Sequence, residues 1–111
     1  MASRRMLSKS ISYSTKVNEL SSDFARLLYT WIIPHLDDWG RTDGNSQGIK
    51  LQVMPGSDKT VEEFEKALQE MNDVGLIDRY EVEGKMYIQY TNFDEYQWGL
   101  KKSGKSKIPS A

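Results

Sequence analysis

Apolar positions recur at helical spacing over two stretches of this chain and at strand spacing over a third. Phe24, Leu27, Leu28, Trp31 and Ile32 make one face of a helix that begins at Asp23. Ser21 or Ser22 can cap it, and the Asp23 carboxylate suits the positive end of the helix dipole. Pro34 bends or ends this helix, and Gly40 lies outside it. Residues 39–43 then fit a short strand, and residues 46–54 a weaker helix with Ile49, Val53 and Leu51 turned inward. Pro55-Gly56 stops that helix. The third helix has the strongest pattern. Val61, Phe64, Ala67, Leu68 and Met71 form one stripe, Thr60 and Glu63 stand at capping-box spacing, and Gly75 sits where a left-handed cap is wanted.

Beyond Gly75 the period changes to two. The apolar residues are mostly even-numbered: Leu76, Tyr80 and Val82, then Met86, Ile88 and Tyr90. For even to face even across a hairpin the loop must be odd. A three-residue loop, Val82-Glu83-Gly84 with Gly84 left-handed, meets that condition and puts Lys85 beside the tip. Asn92 and Glu95 repeat the capping spacing, which predicts a short closing helix over residues 93–98. Residues 1–14 read as an extended arm that Ile11 and Tyr13 can dock. GLKKSGKSKIPSA, from Gly99 onward, reads as a flexible tail or linker. The division is therefore an arm and lead-in over residues 1–21, a domain over 22–98 and a basic tail over 99–111. The class is α+β. Its element order is that of a winged helix-turn-helix: a three-helix core plus a C-terminal β-hairpin wing and a short closing helix. The expected core is Phe24, Leu28, Trp31, Ile32, Phe64, Leu68, Met71, Ile77 and Ile88.

Composition narrows the setting. A chain of 111 residues makes one domain and buries roughly two-thirds of its unfolded surface, with three Trp, six Tyr and three Phe to fill the core. There is no cysteine, which removes disulfides and thiolate metal sites and fits a reducing cytoplasm. The longest apolar run, residues 27–33, is too short to cross a membrane. Arg4-Arg5 runs into polar, Ser-rich sequence, unlike a secretory or twin-arginine export signal.

Charge changes the picture more. The net charge of −1 divides into +3 over residues 1–21, −8 over residues 22–96 and +4 over residues 97–111. Basic ends on an acidic body suit phosphate binding by counterion release, or simply solubility. The candidate DNA contacts are Arg4, Arg5, Lys9 and Lys16 on the arm and Lys101 and Lys102 on the tail, where Lys105 and Lys107 follow. Lys85 on the wing, with Lys50 and Gln52 on the second helix, completes the set. The third helix, which enters the groove in most winged helices, is acidic at Glu62, Glu63, Glu65, Glu70 and Asp73, and phosphates would repel it.

Catalytic chemistry is not signalled. There is no G-x-S-x-G, G-x-G-x-x-G or phosphate-binding lysine loop. His35, Asp37, Asp38 and Asp43 offer donors for a divalent cation, but with a single His and no Cys a capping or solvated role is the stronger reading. The glutamates of the third helix read as a solvated face. The expectation is a non-enzyme with no cofactor and no metal.

The segments RRMLSKSIS, LSSDFARLLYTWIIPHLDDWGR, IKLQVMP, VEEFEKALQEMNDVGLIDRYEVEGKMYIQYTNF and SKIP together resemble a known family. It is the N-terminal domain of phage replisome organisers, the DnaD-like replication-initiation proteins of Gram-positive bacteria and their prophages. The resemblance implies a winged-helix domain acting in the bacterial host cytoplasm. Its protein would bind origin-like duplex DNA and help recruit helicase-loading proteins, and a homo-oligomer is a further candidate partner. Such proteins usually carry a second, C-terminal domain after a linker like the one that starts near Gly99. The resemblance transfers no base-reading residues. Two other readings share the fold: an interaction or oligomerisation scaffold using the acidic third helix, and a transcriptional regulator.

Overall fold

In the computed structural model, which describes residues 4–96 and 106–111, both long helical stripes fold as helices. A 3-10 turn at Lys9–Ser12 leads into a one-turn helix α1, Thr15–Asn18. Helix α2 is Asp23–Ile32, and Ser22 rather than Ser21 caps it by accepting from the Ala25 N–H. Pro34 converts its end into a 3-10 turn, Ile33–His35. Strand β1 is Arg41–Asp43, and helix α3, Ser46–Val53, starts at an Asn45 cap. Helix α4, Val61–Asp73, carries the expected capping box: Thr60 Oγ1 accepts from Glu63 N at 3.1 Å and Glu63 Oε2 from Thr60 N at 3.0 Å.

The end of α4 is set by Gly75 at φ 85°. Its N–H bonds to Asn72 O while the Leu76 N–H reaches back to Met71 O at 2.9 Å, the paired bonds of a Schellman cap. Strands β2, Ile77–Val82, and β3, Lys85–Tyr90, follow, then a short helix α5, Phe93–Tyr96. Trp98 and the rest of the expected closing helix lie outside the described residues. The sheet is antiparallel throughout in the order β1-β3-β2. The result is a compact α+β domain whose layout is compatible with a winged helix.

The hairpin register differs from the parity expectation. Val82 pairs with Lys85, Tyr80 with Tyr87 and Ile77 with Tyr90, so the loop is two residues, Glu83-Gly84. Both are left-handed, at φ 52° and 81°, the turn whose twist matches the flanking strands. Odd positions of β2 therefore share a face with even positions of β3. Ile77 and Arg79 turn inward with Tyr90 and Ile88, and Tyr80 turns outward with Tyr87. Parity failed because Arg79 is an inward position whose charge is satisfied beneath α4 by Glu65.

Seven of the expected core residues are buried: Leu28, Ile32, Phe64, Leu68, Met71, Ile77 and Ile88. Phe24 is half-buried and meets the Phe64 ring edge-on at 4.9 Å. Trp31 is not core, at 48% exposure, because α2 buries Ala25, Leu28 and Ile32 and leaves Phe24, Leu27 and Trp31 on the shoulder. Leu51 is also exposed, since Ile49 and Val53, four apart, define the inner face of α3. Val17, Leu20 and Leu36 join the core from outside the long helices. In the arm, Ile11 packs on the core while Tyr13 is exposed. Near the end of the expected tail, Ser106, Ile108 and Pro109 hydrogen-bond to the domain.

Candidate nucleic-acid interface

Glycine, arginine and a bidentate ion pair fix α3 and α4 relative to the wing. Gly44 N–H donates to Met86 O at 2.9 Å, and Arg79 Nε donates to Gly44 O at 2.9 Å. A Cβ at Gly44 would stand 2.6 Å from the Tyr87 backbone, so only glycine permits this approach. Arg79 then forks onto Glu65 of α4 at 2.6 and 2.8 Å, with its own side chain 7% exposed. The Arg79 guanidinium holds the Glu65 carboxyl below its ordinary range. The start of α3 is thereby tied to the wing hairpin, while its end, at Val53, lies by Arg4, Trp31 and His35.

Along this path α3 exposes Gln47, Leu51 and Gln52. Gln52 is thus available as expected, and Lys85 is exposed where β3 begins. Lys50 is corrected: its Nζ donates to Lys59 O at 2.5 Å and stands 5.9 Å over the Phe64 ring, so it braces α3 against the α3–α4 loop. Arg4 and Lys9 are exposed on the arm. Lys16 is exposed with Nζ 3.5 Å from Gly75 O, a cation at the negative end of α4.

Arg5 is the clearest correction. Its side chain is 3% exposed and donates to Leu36 O at 3.0 Å and to Asp38 Oδ1 at 2.8 Å. Its guanidinium also lies 5.7 Å from the Phe93 ring centroid. A cation this deep anchors the arm and does not reach phosphate. Lys101, Lys102 and Lys105 lie outside the described residues, whereas Lys107 is exposed on the docked terminal segment.

The acidity of α4 is partly consumed. Glu65 is paired with Arg79, Glu63 caps the helix and Asp73 accepts from Gln69 Nε2. Glu70 points toward α2, accepting from the Ser21 hydroxyl at 2.5 Å. Glu62 and Lys66 are both exposed on the outer surface.

The aspartates near His35 have structural work. Asp37 Oδ1 accepts from Trp39 N at 2.9 Å and Arg41 N at 3.0 Å, Asp38 pairs with Arg5, and Asp43 accepts from Asn45 N. Among the described residues no three His, Cys, Asp or Glu side chains converge to hold a metal ion, and no helix is long and apolar enough to cross a membrane. Sequence reasoning missed Arg79, and it gave Asp37 and Asp38 a capping or solvated role without their partners Ser106 and Arg5. The available signal for Arg79 was Glu83-Gly84, since x-Gly at a hairpin tip favours a two-residue turn. No family model, curated protein or solved structure matches the chain.

Proposed function

We propose that this chain is a non-catalytic winged-helix DNA-binding module, with the resemblance to replisome organisers pointing to replication initiation at an origin-like duplex. The observation that carries the reading is the order α2–β1–α3–α4–β2–β3, with β1 on the free edge of β3 and the wing hydrogen-bonded to the start of α3. That arrangement supports one continuous contact strip from Lys85 through Gln47 and Gln52 to Arg4. Uncharged polar side chains on α3 suit base edges, and the cations at either end suit phosphates.

The acidic helix then needs no close approach to phosphate, because α3, wing and arm make the contacts. The rival reading, a protein-docking scaffold, draws on exposed Glu62, Glu63 and Asp73 of α4. A transcriptional regulator would use the same strip at a promoter instead of an origin.

Fluorescence anisotropy of the whole chain on duplex DNA, across a salt series, tests the reading. Affinity should fall linearly with salt on logarithmic axes, by about 0.9 per phosphate contact. Arg4→Gln and Lys85→Gln should each reduce that slope by about one, whereas Arg5→Gln should act on folding. No binding to duplex or single strands at low salt would overturn the proposal and leave α4 as a protein-docking face.

A further inference from the structure

The last described residues run across the outer face of the sheet, where three elements each offer one oriented group. The Ser106 hydroxyl donates to Asp37 Oδ2 in the loop before β1. Arg41 Nη1 of β1 donates to Ile108 O at 3.2 Å, and the Tyr80 hydroxyl of β2 donates to Pro109 O at 2.6 Å. Within the segment, Ile108 N–H donates to Ser106 Oγ at 3.1 Å.

The receptor groups are oriented by the domain itself. Asp37 Oδ1 is engaged by two backbone N–H groups, which leaves Oδ2 facing the segment. Arg41 is aligned by its Nε bond to Gln89 Oε1 at 2.8 Å, so Nη1 projects toward Ile108. Tyr80 is braced by the Tyr87 ring at 5.9 Å. The segment in turn fits those groups. A serine hydroxyl bends the chain onto its own backbone. Proline brings a carbonyl without an N–H that would need a partner. Lys107 between them is exposed, so its side chain is not read.

We propose that this face is a docking site for a bent Ser-x-Ile-Pro segment and that its occupant is the chain's own residues 106–109. The clamp fixes the chain that leaves the domain across the sheet, and its release uncovers Tyr80 and Tyr87. It stands independently of the DNA reading.

Because the chain has no cysteine, Ser110→Cys gives a single attachment point for a nitroxide on the full-length protein. Paramagnetic broadening should concentrate on the amides of Arg41, Tyr80 and Tyr87 and spare those of α4. Ser106→Ala with Tyr80→Phe removes two of the three hydrogen bonds from segment to domain, together with the internal Ile108–Ser106 bond, and should lower the docked-to-undocked ratio on the order of thirty-fold, erasing the pattern while amide dispersion stays native. Lys107→Ala should leave the pattern intact. Uniform broadening, an unchanged pattern in the double variant, or loss of the pattern on Lys107→Ala would each overturn the proposal. So would the same pattern in isotope-labelled, nitroxide-free chain mixed with labelled copies, since that would mean exchange between copies.

Discussion

The two ends of this chain share basic, serine-rich sequence and are held by neighbouring aspartates, yet the forces that hold them differ. Asp38 takes the amino-terminal arm through Arg5, whose side chain is 3% exposed and whose Nε has no hydrogen-bond partner among the described residues. Asp37 takes the carboxy-terminal segment through a half-buried serine hydroxyl, assisted by carbonyl contacts to Arg41 and Tyr80. The first anchor is a buried charge and belongs to the core. The second is a set of neutral and singly charged hydrogen bonds at the surface. A buried ion pair is costly to break on one side, whereas a surface hydrogen bond is replaced by water.

The largest expected effect follows from that asymmetry. Asp38→Ala strands the Arg5 guanidinium, and the loss should fall near the lower end of roughly 3–5 kcal/mol because Asp38 itself keeps 28% exposure. Arg5→Met should cost less, since it removes the charge, keeps the unbranched stem and leaves a sulfur against Phe93. Urea denaturation of both variants checks the order. Equal losses would mean that packing alone holds the arm, and the contrast between the two ends would collapse.

The same asymmetry explains what the sequence could disclose. The stripe of α4, its capping box and its Gly75 cap were legible because each depends on residues within one or two turns. The same holds for Pro34 ending α2 and for Ile49 and Val53 facing inward. Arg5 was not legible, because its partners lie 31 and 33 residues away and its sequence neighbours are polar. Ser106 and Asp37 are 69 residues apart. The hairpin failed for a different reason: parity assigned faces by hydrophobicity, and Arg79 is an inward residue made tolerable by Glu65 on another element. Of the site residues, Lys85, Gln52, Arg4 and Lys9 are exposed as expected, while Arg5 and Lys50 were misread because a cation's sequence context does not disclose which carbonyl or ring it will meet.

At the carboxy-terminal end the effect on global stability should be far smaller. Tyr80→Phe removes the bond to Pro109 O and little else, since the ring can keep its contact with Tyr87. Its unfolding free energy from urea denaturation should stay within about 0.5 kcal/mol of the parent protein, as for most surface substitutions. Hydrogen exchange is the readout that should respond, with protection lost at Ile108. A midpoint shift as large as that of Asp38→Ala would make the segment a part of the core, contrary to the comparison.

The smallest effect is a titration. Burial raises the Tyr80 phenol above its ordinary value near 10, and the Arg41 charge offsets this in part. Docking uses the phenol as a donor, so a raised pKa in the docked state means that this contribution is complete below the ordinary tyrosine value. It is lost as pH rises through the raised one. The difference in tyrosinate absorbance between the parent protein and Tyr80→Phe isolates this group. Tyr90 does not interfere, because its hydroxyl is bonded to Tyr29 O and its pKa is raised further by burial in both proteins. Ser106→Ala should then move the Tyr80 titration back toward its ordinary value, because the released segment no longer covers the ring. If Ser106→Ala leaves that titration where it was, Tyr87 and the sheet supply the burial and the segment adds nothing. The surface anchor would then be weaker than its three hydrogen bonds to the domain imply.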